Sequence, residues 1–213
     1  MTLEQKVGQL FLVRPDSLDL SQTQDQINDA KADGVTELTD AMRQTLAEYP
    51  VGGVVIFGKN LESPQQITQF LDDLQQASDT PLFTAIDEEG GLVARLANNA
   101  AFDLPQYESA AAVGTSGNPE DARAMGRTIG GYLKEYGFNL DFAPVADVNT
   151  NPITRSSVPA RSAVNRRPPP TLWRGVRRVC RCGHCLHPQA FPRPWRYQRG
   201  YPRWHRNAEQ NAG

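Results

Sequence analysis

Leu3, Val7, Leu10 and Phe11 recur at helical spacing behind Thr2, whose hydroxyl suits a helix start, so the chain is predicted to open on an amphipathic helix. Residues 16–48 are polar and rich in Gln and Asp, with sparse apolar positions such as Ile27, Val35, Leu38, Met42 and Leu46. They read as surface helix and loop. Val51-Gly52-Gly53-Val54-Val55-Ile56-Phe57-Gly58 is a short β-branched run between glycines, the pattern of a strand buried on both faces. Ser63-Pro64 then starts a helix whose Ile67, Phe70, Leu71 and Leu74 share one side.

A second buried strand is expected over residues 81–86, running straight into Asp87-Glu88-Glu89-Gly90-Gly91. After a stretch of small residues, Asn118-Pro119 opens a helix through Ala122, Met125, Ile129 and Leu133 that stops at Gly137. Residues 138–148 form a third strand candidate. The succession strand, helix, strand, helix, strand predicts an α/β fold with a parallel sheet, either an open doubly wound sheet or part of a barrel.

Charge divides the chain in two. Residues 1–150 carry 23 acidic side chains against 9 Lys and Arg, whereas residues 151–213 carry 13 Arg, no Lys, no Asp and a single acidic residue, Glu209. The formal net charge of −2 therefore sums a strongly acidic part and a strongly basic one. All three Trp, all three Cys and all three His lie beyond residue 170, and one evolved domain seldom sorts its residues so cleanly. No stretch approaches the roughly 18 apolar residues of a membrane span, and Met1-Thr2-Leu3-Glu4 lacks the basic and apolar regions of a signal peptide.

In parallel α/β folds ligands meet the C-terminal ends of strands. Those ends are expected at Phe57-Gly58-Lys59-Asn60, Asp87-Glu88-Glu89 and Asp147-Val148-Asn149, and together they offer carboxylate, amide and ammonium groups to one face. A sugar needs such partners for its hydroxyls. Neighbouring carboxylates also suit acid/base work, because crowding and burial separate their pKa values. The plain alternative is that Glu88 and Glu89 are solvated loop charges and that Asp147 belongs to an Asx-rich turn. The glycine pairs lack the spacing of a dinucleotide fingerprint or a P-loop, and residues 1–150 hold no histidine for a Ser/His/Asp set.

Residues 3–11, Gly52 to Asn60, Ile86 to Leu96, Tyr136 to Val148, and Asn151-Pro152-Ile153 with Arg155-Ser156 together resemble the N-terminal barrel domain of family 3 glycoside hydrolases, in the bacterial β-N-acetylhexosaminidase branch. The resemblance implies the front portion of a (β/α)8 barrel, incomplete in this chain, with residues 1–156 as a partial domain. It also implies retaining hydrolysis of terminal β-linked N-acetylglucosamine, cell-wall fragments included, without metal or organic cofactor. Asp87 matches the strand-end aspartate that holds sugar hydroxyls, and Arg155 an arginine that reaches the same sugar. A family 3 β-glucosidase is the nearest alternative. Family members continue with a Lys-His-Phe-Pro-Gly-His-Gly segment, an Asp-Ser/Thr-His acid/base dyad and a nucleophilic aspartate. None of these appears in this chain as written, so no catalytic residue is assigned and the chain is expected to be inactive. The chain reads as cytoplasmic as written, and its parent as secreted or lipid-anchored if a signal segment preceded the opening family helix.

Residues 157–213 are read as a shifted reading frame and, being dense in arginine and proline, as disordered. Codons built from the last two bases of one residue and the first base of the next permit, from Gln189 through Tyr197, the string Lys-His-Phe-Pro-Gly-His-Gly-Asp-Thr. Further on, Gly200, Tyr201 and Pro202 permit Asp, Thr and His, the dyad at the family spacing. The competing reading is a zinc site in Cys180-Arg181-Cys182-Gly183-His184-Cys185-Leu186-His187, with Trp195, Tyr197, Trp204 and the arginines binding single-stranded nucleic acid. Zinc ligands are usually two to four residues apart with a second pair from afar, which this cluster lacks. The expected partner is a carbohydrate and not a nucleic acid.

Overall fold

A computed structural model describes residues 1–145. The tail from residue 157, with its Cys/His cluster and shifted-frame dyad, lies outside the described residues, as do Asp147 and Arg155. Helix α1 (Leu3–Gly8) starts at Thr2, whose side chain accepts from the Gln5 N–H while Gln5 answers the Thr2 N–H, the reciprocal pair of a capping box. It is shorter than the apolar spacing predicts. Leu10 and Phe11 lie past its end, and Leu3, Val7, Leu10 and Phe11 stay exposed. Backbone contact stops it: the Gly52 N–H bonds the Gly8 carbonyl at 2.9 Å, and a Cβ on Gly8 would fall 1.6 Å from the Pro50 oxygen.

The short strand β1 (Leu12–Val13) leads into a 3-10 turn, Pro15–Leu18, then α2 (Gln24–Asn28) and α3 (Asp40–Glu48). Residues 16–48 are not merely surface. Leu18, Ile27, Leu38, Met42 and Leu46 are buried, the last two because four-residue spacing stacks them on one side of α3. Strand β2 (Gly53–Ile56) follows, then α4 (Pro64–Ala77), β3 (Phe83–Ile86), a hairpin of β4 (Glu88–Gly90) and β5 (Val93–Ala94), α5 (Ala110–Thr115), α6 (Pro119–Glu135) and β6 (Leu140–Asp141). Past the end of β3, residues 88–90 form the first strand of that hairpin. Gly90 and Gly91 adopt φ of 84° and 68°, the left-handed region open to glycine, which lets the chain reverse there.

Strands β1, β2, β3 and β6 form one parallel sheet in that order. The order never reverses, as it would at the switch point of a doubly wound sheet. With right-handed crossovers, all helices then fall on one side, the winding of a barrel. The core gathers Met42 and Leu46 of α3, Ile67, Phe70, Leu71 and Leu74 of α4, and Ile129 and Leu133 of α6 around Val54, Ile56 and Ile86. Among the described residues no helix is long and apolar enough to cross a membrane.

The start of α4 is held by Ser63, whose hydroxyl accepts from the Gln66 N–H at 3.2 Å ahead of Pro64 in the first turn. Ser63→Ala should cost about 1 kcal/mol, seen as a lower urea midpoint with an unchanged slope. An unaltered midpoint would show that the cap contributes nothing.

Candidate functional site

Parallel pairing brings the C-terminal ends of the strands to one rim, and the residue following each strand is the first free to face a ligand. After β1 comes Arg14, after β2 Phe57, after β3 Asp87; Asp141 closes β6. Arg95 is added by the β4–β5 hairpin, which folds back from β3 and returns the chain eight residues after Asp87. Its Nη2 donates to Asp87 Oδ2 at 3.2 Å, with both side chains partly exposed. The Arg95 guanidinium also lies 5.7 Å from the centre of the Phe57 ring, while that of Arg14 lies 4.4 Å from it. Arg14, Phe57, Arg95 and Asp87 thus form a continuous row across three strand ends, alternating cation, ring, cation and carboxylate. Cations over a ring face gain from its quadrupole, which steadies both guanidinium groups.

The carboxylates of this rim differ by environment. Burial pushes the Asp141 carboxyl up to about 7, against the lowering pull of the Glu88 N–H that it accepts at 3.0 Å, and the nearby charges of Glu88, Asp87 and Glu89 push it further. Glu89 is raised as well, by burial first and by Asp87 second, with Arg95 opposing. A carboxyl raised by burial beside a carboxylate paired with a guanidinium offers two different partners to one polar ligand.

Three expected strand-end groups serve other purposes. Lys59 does not reach the rim: its Nζ is buried 3.1 Å from Asp16 Oδ1 and donates to the Gln26 and Ile27 carbonyls. Asn60 is wholly buried, bridging Asp16 Oδ2, the Val35 carbonyl and the Phe57 N–H. Glu88 is wholly buried too, so it is neither a solvated loop charge nor free for acid/base work. Its oxygens are taken by the Leu96 and Ala97 N–H groups and the Tyr132 hydroxyl.

Only Asp87, of the two residues expected to touch a sugar, falls among the described residues, and it stands at the rim. Arg95, Arg14 and Asp141 were not singled out by the sequence. Arg95 left one signal: it is the only Lys or Arg between Lys59 and Arg123, set in the otherwise apolar run Leu92-Val93-Ala94-Arg95-Leu96. Asp141 left another, as the lone charge in Phe138-Asn139-Leu140-Asp141-Phe142.

Residues 2–162 match the family described as glycosyl hydrolase family 3 N terminal domain. A β-hexosaminidase A from Pseudoalteromonas piscicida is 34% identical over 123 residues, which is 55% of this chain and 21% of that protein. A β-hexosaminidase from Thiobacillus denitrificans is 32% identical over 118 residues, 54% of this chain and 32% of that one. Among solved structures, a family 3 β-N-acetylglucosaminidase from Paenibacillus superposes with a TM-score of 0.57 at 33% identity, over 71% of this chain and 26% of its own. A β-N-acetylhexosaminidase from Beutenbergia cavernae gives 0.54 at 26% identity, over 72% and 40%. The chain thus spans between a fifth and two fifths of the length of these relatives.

Proposed function

Because the chain belongs to glycosyl hydrolase family 3, as its N-terminal domain, we propose that it is the front portion of a hydrolase for terminal β-linked N-acetylhexosaminides. The observation that carries this reading is the Asp87–Arg95 pair at the C-terminal rim of a parallel, singly wound sheet. A carboxylate and a guanidinium held side by side match adjacent sugar hydroxyls, the first accepting and the second donating. Arg155 would reach the same sugar from beyond the described residues. The intact parent would cleave with retention through a covalent glycosyl-enzyme, using the family's dyad and nucleophile, and needs no cofactor.

Residues 157–213 are read as mistranslated sequence, with the dyad segment encoded in another frame. The 213-residue chain then binds sugar without cleaving it. It should release no aryl alcohol from a chromogenic aryl β-N-acetylglucosaminide beyond the buffer rate. The gene with its longer frame restored should give strong release, and the first product seen by proton NMR should be the β-anomer. Turnover by the 213-residue chain would overturn the proposed inactivity, and an α-anomer from the restored enzyme would overturn the retaining mechanism.

A further inference from the structure

Asp87 and Glu88 are neighbours with opposite fates. Successive side chains of an extended segment point to opposite sides, so Asp87 meets the rim while Glu88 enters the protein and is fully buried. There its Oε2 accepts the Leu96 N–H at 2.9 Å, and its Oε1 accepts the Ala97 N–H at 3.0 Å and the Tyr132 hydroxyl at 2.8 Å. Leu96 and Ala97 are the two residues directly after Arg95. The Glu88 N–H, in turn, donates to Asp141 Oδ1 at 3.0 Å. One carboxylate therefore ties the residue after Asp87 to the residues after Arg95, and Glu88 itself rests on a second layer, with Tyr132 of α6 at its carboxylate and Asp141 of β6 at its N–H.

Packing does not account for a charge at this place. An apolar side chain of similar volume would fill the space without the cost of stripping a carboxylate of water. What the carboxylate adds is direction, since its two oxygens fix two consecutive amides at once. Arg95 needs such fixing: it has a long side chain, a single hydrogen bond to Asp87, and a buried Nε without a hydrogen-bond partner among the described residues. A site of this kind is as precise as the shell that supports it.

We propose that Glu88, seated on Tyr132 and Asp141, is a positioning residue that holds Arg95 against Asp87, so that the pair meets sugar hydroxyls already formed. The sugar part of this statement rests on the function proposed above; the tie itself does not. Glu88→Gln offers one acceptor oxygen where the carboxylate offers two, which leaves the Leu96 or Ala97 amide facing an NH2 group. Tyr132→Phe removes a single hydroxyl and keeps the ring.

The test uses nitrogen-15 NMR on the full 213-residue chain, titrated with N-acetylglucosamine. In the unaltered chain the Arg95 Nε–H should be rigid on the ps–ns timescale, and both the Asp87 and Arg95 signals should move with sugar. Glu88→Gln should speed hydrogen exchange at Leu96 or Ala97 by about tenfold or more, loosen the Arg95 Nε–H, and raise the sugar Kd about tenfold, the effect of about 1.4 kcal/mol. Tyr132→Phe should do the same to a smaller degree, and carries the test alone if Glu88→Gln does not fold. Unchanged Arg95 order in the variants overturns the proposal, as does unchanged affinity where the unaltered chain binds. If sugar moves no signal while Arg95 order still depends on Glu88, the sugar reading of the Asp87–Arg95 pair fails and the tie stands.

Discussion

Asp16→Ala is expected to cost about 3–5 kcal/mol of folding stability, because it leaves a buried ammonium without its counter-charge. The Asp16 side chain is fully buried and the Lys59 side chain is 5% exposed, so water screens neither. The carboxylate also accepts from the Val35 N–H at 3.2 Å and the Asn60 amide at 3.0 Å, so the same step takes from the Val35 N–H its partner and from the Asn60 amide one of its two acceptors. A domain has only about 5–15 kcal/mol in all, so the loss should show as a large fall in the urea midpoint. Asp16→Leu combined with Lys59→Met should recover much of it, since removing both charges also removes the desolvation cost. A single substitution that shifts the midpoint by less than about 1 kcal/mol would mean that Lys59 finds water, contrary to its burial.

The second large effect is a dependence on pH. An Asp whose carboxyl is raised in the folded state, here from 3.8 to about 7, binds its proton more tightly folded than unfolded. Below about pH 4 both states are protonated and the group is neutral in its effect. Between about 4 and 7 the unfolded chain has released the proton and the folded one has not, so stability falls as pH rises, by up to about 1.4 kcal/mol per pH unit. The full loss, up to about 4 kcal/mol, is reached above pH 7. Asp141→Asn keeps an oxygen for the Glu88 N–H and removes the titration. The variant's stability minus that of the unaltered chain, from urea unfolding at pH 4.5, 6 and 8, should therefore climb and then level off. A difference that is flat across this window would place Asp141 in contact with water or with a cation. Among the described residues, the charges that act on Asp141 are those of Glu88, Asp87 and Glu89, all acidic, and only the Glu88 N–H opposes them.

Both effects come from residues whose meaning changed on folding. Asp16 lies in a polar stretch that reads as surface, and Lys59-Asn60 follows a strand where a ligand is expected. The fold turns all three inward, because the segment from Pro15 to Val35 packs its few apolar side chains, Leu18 and Ile27 among them, and carries its polar neighbours with them. Glu88 and Glu89 are indistinguishable in sequence, yet alternation sends one into the protein and leaves the other partly exposed.

Residue pattern alone was enough for the elements with strong periodicity. The sides of α4 and α6, the two β-branched strands and the caps at Thr2, Ser63 and Asn118 follow from residue spacing and local hydrogen bonding, which act over a few residues. Asp87 was marked by its place directly after a buried strand together with the family resemblance, whereas Lys59, Asn60 and Glu88, marked by position alone, turn inward. Other features arise only in three dimensions: that β1 exists in two residues, that Arg95 returns to Asp87 through a hairpin, and that Glu88 ties them. Those facts depend on contacts between residues far apart in the chain, on burial and on the direction of single hydrogen bonds, none of which leaves a period in the sequence.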